Sequence, residues 1–235
     1  MDSFEERLET TGALADDLRR RLYLFIRDRR RPVGRDEAAQ AVGISRKLAA
    51  FHLDKLVERG LLTAHYMRLS GRTGPGAGRP SKVYEPSERD VSVSIPYRSY
   101  EVVGDILLDA LESAQEGGSP AAAVRHAAFE QGEEFGNSIR GDLKRRPTSN
   151  KAQTDTVAQV LSEKGYEPYR DEGGNIRLHN CPFHRLAQRS SELVCGLNHA
   201  FVGGLLSGLG VESLAASLDP TPGECCVRIQ RGAVA

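Results

Sequence analysis

Four cysteines and a histidine carry most of the reactive chemistry in this chain, and all lie in its last quarter. Cys181-Pro182-Phe183-His184 sets a thiol and an imidazole three residues apart, Cys195 follows, and Cys225-Cys226 closes the set. Thiolates with an imidazole suit zinc or an iron–sulfur cluster. The spacing lacks the Cys-x-x-Cys pairs of zinc fingers and thiol oxidoreductases, so the fold has to assemble the candidate ligands Cys181, His184, Cys195, Cys225 and Cys226. In a reducing compartment such thiols point to a ligand set or a thiol sensor rather than a disulfide framework. Buried structural cysteines are the plainer alternative. An enzyme would need a nucleophile–base pair, and Cys181 with His184 stands in no recognisable catalytic motif. The expectation is a protein that is not an enzyme.

Three elements must bring these donors together. Tyr166–Arg170 and Asn175–Asn180 read as strands about a Gly173-Gly174 turn, with Cys181 at the exit of the second. Glu192–Leu209 reads as a long helix with Cys195 near its start, and His199 four residues on shares its face. Cys225–Ile229 reads as a last strand, whose alternation sets Cys225, Val227 and Ile229 on one face and Cys226 on the other. A helix over Ala152–Lys164 completes an α+β unit.

The zero net charge hides an asymmetry. Between Thr11 and Tyr84 stand sixteen Lys or Arg against seven Asp or Glu, so the remainder is acidic. A basic head on an acidic body fits a phosphate-binding module joined to an effector. The head opens with an apolar stripe over Ala13–Arg29, and a short helix through Asp36–Ala41 then ends at Gly43. Ser45 caps a third helix that runs to Arg59. Ala49, Leu53, Leu56 and Val57 face inward there, which leaves Arg46, Lys47, Ala50 and His52 outward. Leu61–Tyr66 and Ser81–Tyr84 read as strands flanking a Gly-rich loop with Arg72 and Arg79, followed by Lys82. This order describes a winged helix-turn-helix. The predicted DNA contacts are therefore Ser45, Arg46, Lys47, Ala50, His52, Arg72, Arg79 and Lys82, and the partner is double-stranded DNA. The loop lacks the Lys-Ser/Thr ending of a nucleotide-binding P-loop.

Glu85–Tyr97 reads as a connector. Tyr100–Leu111 is an apolar-faced helix, Ser119-Pro120 opens another towards Ile139, and Lys144–Lys151 reads as a loop. The helices suggest a homodimer. The expected fold is α+β: a winged helix-turn-helix over 1–90, a helical linker and dimerisation region over 91–148, and a cysteine-bearing effector with a small antiparallel sheet over 149–235. No apolar run approaches the roughly 18 residues of a membrane span. The acidic N-terminus lacks the order of a signal peptide, so a cytoplasmic protein without a membrane partner is expected.

Two stretches carry a family resemblance. Ala38–Arg46, His52–Leu62 and Gly78–Tyr84 resemble the ArsR-type winged-helix regulators of bacteria. Asn180–Phe183, Leu193–Cys195, His199–Leu206 and Cys225–Ile229 resemble the C-terminal domain of SufR-type regulators. Those are dimeric repressors that hold an iron–sulfur cluster, and the resemblance implies a 4Fe–4S cluster on Cys181, Cys195 and Cys225. Some members have a further Cys where this chain has Gly208-Leu209-Gly210. The fourth ligand is then His184, Cys226 or a group from outside the chain, with zinc as the alternative metal. A regulator answering to an organic ligand or partner, with structural cysteines, is the second reading.

Overall fold

The computed structural model describes residues 4–68, 79–113, 118–143 and 146–232 and divides into two compact units, Met1–Val93 and Ser94–Ala235. Both are α+β with small antiparallel sheets.

In the first unit, α1 (Phe4–Gly12) and a 3-10 turn (Ala13–Ala15) precede α2 (Asp17–Arg29), β1 (Val33–Gly34), α3 (Arg35–Val42), α4 (Arg46–Glu58), β2 (Leu62–Met67) and β3 (Ser81–Pro86). The expected single helix over Ala13–Arg29 is broken at Asp16. That residue is extended, and its carboxylate accepts the Arg19 N–H at 2.9 Å, so α2 starts afresh at Asp17. The N-terminal α1 and the two-residue β1 had no counterpart in the pattern reading. A three-residue turn joins α3 to α4. Gly43 takes φ +75°, its N–H returns to Ala39 and Gln40, and the Ser45 hydroxyl accepts the Leu48 N–H. Ala38 and Ala49 are fully buried, small enough for the helices to cross closely over Leu22, Ile26, Leu53 and Leu56. β3 lies between β1 and β2.

The second unit runs α5 (Tyr100–Glu112), α6 (Pro120–Asp142), α7 (Asn150–Glu163), β4 (Pro168–Arg170), β5 (Ile176–Leu178), α8 (His184–Arg189), α9 (Ser191–Leu209), β6 (Leu214–Leu218) and β7 (Val227–Arg231). Its antiparallel sheet has the order β4-β5-β7-β6. Val103, Ile106, Ala110, Val124, Ala127 and Ala128 share one core with the sheet and α9. The helices expected to form a separate linker thus pack into the core of the second unit. The short α8 and β6 were not anticipated.

α6 and α9 meet nearly backbone to backbone. A Cβ on Gly132 or Gly136 would overlap carbonyls of Phe201 and Leu205, and one on Gly204 or Gly208 would overlap those of Phe129 and Glu133. Four glycines at i, i+4 spacing on two facing helices permit that approach, and it fixes the line of α9 on which Cys195 sits. α9 also corrects the expectation about apolar length. With 19 residues and a mean hydropathy of 1.2 it is long and apolar enough to span a bilayer, yet 56% of that window is buried inside the fold. Its apolar character is that of a core helix.

Candidate metal centre and nucleic-acid interface

On the first unit, the N-terminal half of α4 presents Ser45, Arg46 and Lys47 to solvent, with Ala50 half-buried beside them. Arg46 pairs with Asp36 at 2.9 Å, but both side chains are more than two-thirds exposed, so the pair holds Arg46 weakly. Arg79 is exposed just before β3, and Arg72 lies outside the described residues.

Two expected contacts are placed differently. His52 is 6% exposed, not outward; it packs into the core face of α4 one position before Leu53. Its Nδ1 has no hydrogen-bond partner among the described residues and lies 3.9 Å from the Asp16 carboxylate. Lys82 is committed inside the unit, its Nζ 2.7 Å from Asp54 of α4.

That ion pair belongs to a network that sequence reading missed. Asp54 also accepts the Tyr84 hydroxyl at 2.7 Å, while Arg35 donates to Tyr84 at 2.9 Å and reaches Asp54 at 3.4 Å. Burial opposes ionisation of Asp54, but the Lys82 and Tyr84 hydrogen bonds outweigh it and hold the carboxyl below its usual range. Burial and then the Asp54 hydrogen bond push the Tyr84 phenol up to about 12. The network ties α3, α4 and β3 together, so the exposed face of α4 is held rigidly against the sheet. No local spacing announces such a pairing; the one signal was a polar strand residue, Tyr84, whose neighbour Val83 is apolar.

On the second unit the cysteines converge. Cys181 follows β5, Cys195 stands in the second turn of α9, and Cys225 and Cys226 lie just ahead of β7. All four are free, and with His184 they line a cleft of about 350 Å³ whose lip is Pro220, Thr221, Pro222 and Glu224. The strand begins at Val227, two residues later than expected. Alternation therefore does not drive Cys225 and Cys226 apart, and both are buried.

The thiols act on one another. The Cys225 thiol, then burial, pushes Cys181 far above the ordinary thiol value. Cys181 pulls Cys225 down, but Cys226 and burial win and carry it to about 12. Burial raises Cys195, against the hydrogen bond from Cys226. Among the described residues no group of three or more His, Cys, Asp or Glu side chains is arranged to hold a single ion. Thiols bordering one cleft are the donor chemistry of an iron–sulfur cluster and of zinc alike.

His184 is exposed at the rim, its ring 3.1 Å from the Gln188 amide nitrogen. His199 turns away from the cysteines to the Ala216 carbonyl at 3.1 Å.

Several supporting residues went unread in the sequence. Asn198, fully buried, donates to the Cys225 sulfur at 3.2 Å and accepts the Tyr166 hydroxyl at 2.7 Å. Burial first, then the three nearby thiols, puts the Tyr166 phenol well above its usual value. The available signal was an Asn three residues after Cys195 in an otherwise apolar helix. Arg177 on β5 donates to Glu224 and Asp219 at 2.8 Å each and also to Thr221. The Cys225 N–H bonds to Leu178 at 2.9 Å, and the Asp219 N–H to Cys226 at 2.8 Å. The segment bearing two thiols is therefore fastened to β5 through both backbone and side chain.

No family model, curated protein or solved structure matches this chain.

Proposed function

We propose that the protein is a winged-helix DNA-binding regulator whose second unit holds an iron–sulfur cluster and answers to metal or redox state. The observation that carries the reading is the convergence of four thiols from three segments on one cleft, in a chain whose other unit presents a capped, basic helix beside an antiparallel hairpin. On the first unit, Ser45 orders the helix start, Arg46 and Lys47 reach the groove, and Arg79 reaches phosphate. On the second, Cys181, Cys195, Cys225 and Cys226 would hold the cluster, and His184 lies at the rim. When bound, the cluster supplies an oxidant-sensitive tie between the three segments. The chain's own contribution is to orient the sulfurs through Asn198 and to fix the Cys225-Cys226 segment through Arg177.

The DNA arm is tested by binding to duplexes selected from a random pool. Arg46→Ala and Lys47→Ala are expected to weaken binding, and Arg79→Ala to flatten the salt dependence by about one unit. Unchanged affinity and slope in all three would overturn the assignment.

The reading includes a homodimer. Tyr100, Leu107, Leu108 and Leu111 leave an apolar stripe exposed on α5, with open space over Gly104 between them. A second copy covering that stripe would give two heads, reading half-sites ~34–36 Å apart. Leu108→Lys with Leu111→Lys is expected to halve the mass seen by light scattering; a wild-type monomer, free and on DNA, removes the dimer.

A second reading has its own observation. A cleft of about 480 Å³ between α9 and β6 is lined by Arg140, His199 and Glu212 over Leu206, Val211 and Leu214, and suits a small organic ligand with polar groups. Metal-free protein after anaerobic purification would favour it.

A further inference from the structure

The outer face of α4 leaves two large apolar side chains exposed, Phe51 and, to a lesser degree, Leu48 at 38%. Phe51 is 55% exposed, although α4 buries Ala49, His52, Leu53 and Leu56 on its other face. At 100° per residue Phe51 stands opposite that buried face, one turn after Lys47. Its one ring neighbour is His52, edge-on at 5.3 Å. Asp54 on the flank is neutralised by Lys82 and Arg35, and Lys47 and Lys55 stand one turn to either side of the ring, Lys55 paired with Glu58 at 2.7 Å. The surface is therefore a phenyl ring beside Lys47 and Lys55, with the carboxylates of Asp54 and Glu58 each paired to a cation. The charge favours a polyanion, and the ring requires an apolar feature on it. The major groove of DNA offers one such feature, the 5-methyl group of thymine.

Resting on the DNA-binding reading above, we propose that Phe51 is a specificity-determining residue that selects thymine by packing its ring on the 5-methyl group. The rigid hold of Asp54 on β3 keeps the ring at a fixed depth relative to the sheet. Phosphate contacts from Arg79 then set register, and Phe51 reads sequence.

The test uses the full chain and the duplex it retains from a random pool, measured by fluorescence anisotropy. Replacing thymine by uracil, one position at a time, deletes only the methyl group. At one or more positions the wild type is expected to lose about fourfold in affinity, the equivalent of one buried methyl group. Phe51→Ala should bind the thymine duplex less well and be indifferent to uracil at those positions, whereas Phe51→Leu should keep part of the discrimination. Equal sensitivity to uracil in wild type and Phe51→Ala overturns the inference and leaves DNA binding standing. So does indifference of the wild type at every position. A change of oligomeric mass in Phe51→Ala would assign the ring to a protein interface and also overturn it. Failure of the wild type to retain any duplex removes this inference together with the reading beneath it.

Discussion

Serine at Cys181, Cys195 or Cys225 is expected to strip the protein of iron and sulfide after anaerobic reconstitution. Loss of an outer-shell partner alone weakens a metal site tenfold or more, and a lost thiolate should cost at least that. Cys226→Ser should behave like these three, because Cys226 is buried and lines the same cleft. His184→Ala should retain most of the cluster, since its ring is exposed and held by Gln188. On the proposed reading, the affinity of the serine variants for a duplex selected from a random pool should no longer respond to oxidation. Iron and sulfide per chain, with absorbance spectra, give the answer. Full loading in the serine variants, or an iron-free wild type, defeats the cluster. A colourless protein with one zinc would instead show that the thiols close around a single ion.

The placement of Cys226 shows where pattern reading ran out. Strand alternation was sound as geometry, but it was applied two residues too early. The turn at Pro222-Gly223 and the clamp on Glu224 keep Cys225-Cys226 out of the ladder until Val227. Neither restraint is local: Arg177 lies 47 residues from Glu224. The same limit applies to His52. Helical periodicity places it outward, yet it is buried, its ring near Asp16 at the start of α2. What the sequence did make legible was short-range. Ser45 and Gly43 mark the ends of helices in capping chemistry, and periodicity places Ala49, Leu53 and Leu56 inward, where they are buried. Three separate elements were expected to deliver thiols, and they do. The glycines of α6 and α9 were visible as residues, but their purpose needs the partner helix, which no single stretch contains.

Arg177→Met is expected to have the second large effect, on stability and on the metal centre together. The Arg177 side chain is 14% exposed and Glu224 17%, so removing the guanidinium strands a mostly buried carboxylate, with the 38% exposed Asp219 still paired to Arg228. Breaking this partly screened pair should lower the midpoint of denaturant unfolding. The pH dependence separates this mechanism from lost packing. The Tyr169 hydroxyl and then Arg177 hold the Glu224 carboxyl below its ordinary value of 4.5. A depressed carboxyl contributes stability that is fully present above the unfolded value and fades as pH falls through the folded one. The gap between wild type and variant should therefore be constant above about pH 5 and narrow below it, as Glu224 takes up a proton and no longer needs the cation. A gap that stays constant into acid would assign the loss to packing of the Arg177 stem. Arg177→Met with Glu224→Gln should recover part of the stability, because no charge is then left unpaired. The fastened segment carries Cys225 and Cys226, so the single variant should also release iron faster than the wild type at neutral pH, although Arg177 lies on β5 and contributes no ligand. Unchanged release would mean that the backbone bonds from Cys225 to Leu178 and from Asp219 to Cys226 hold the thiols in place by themselves.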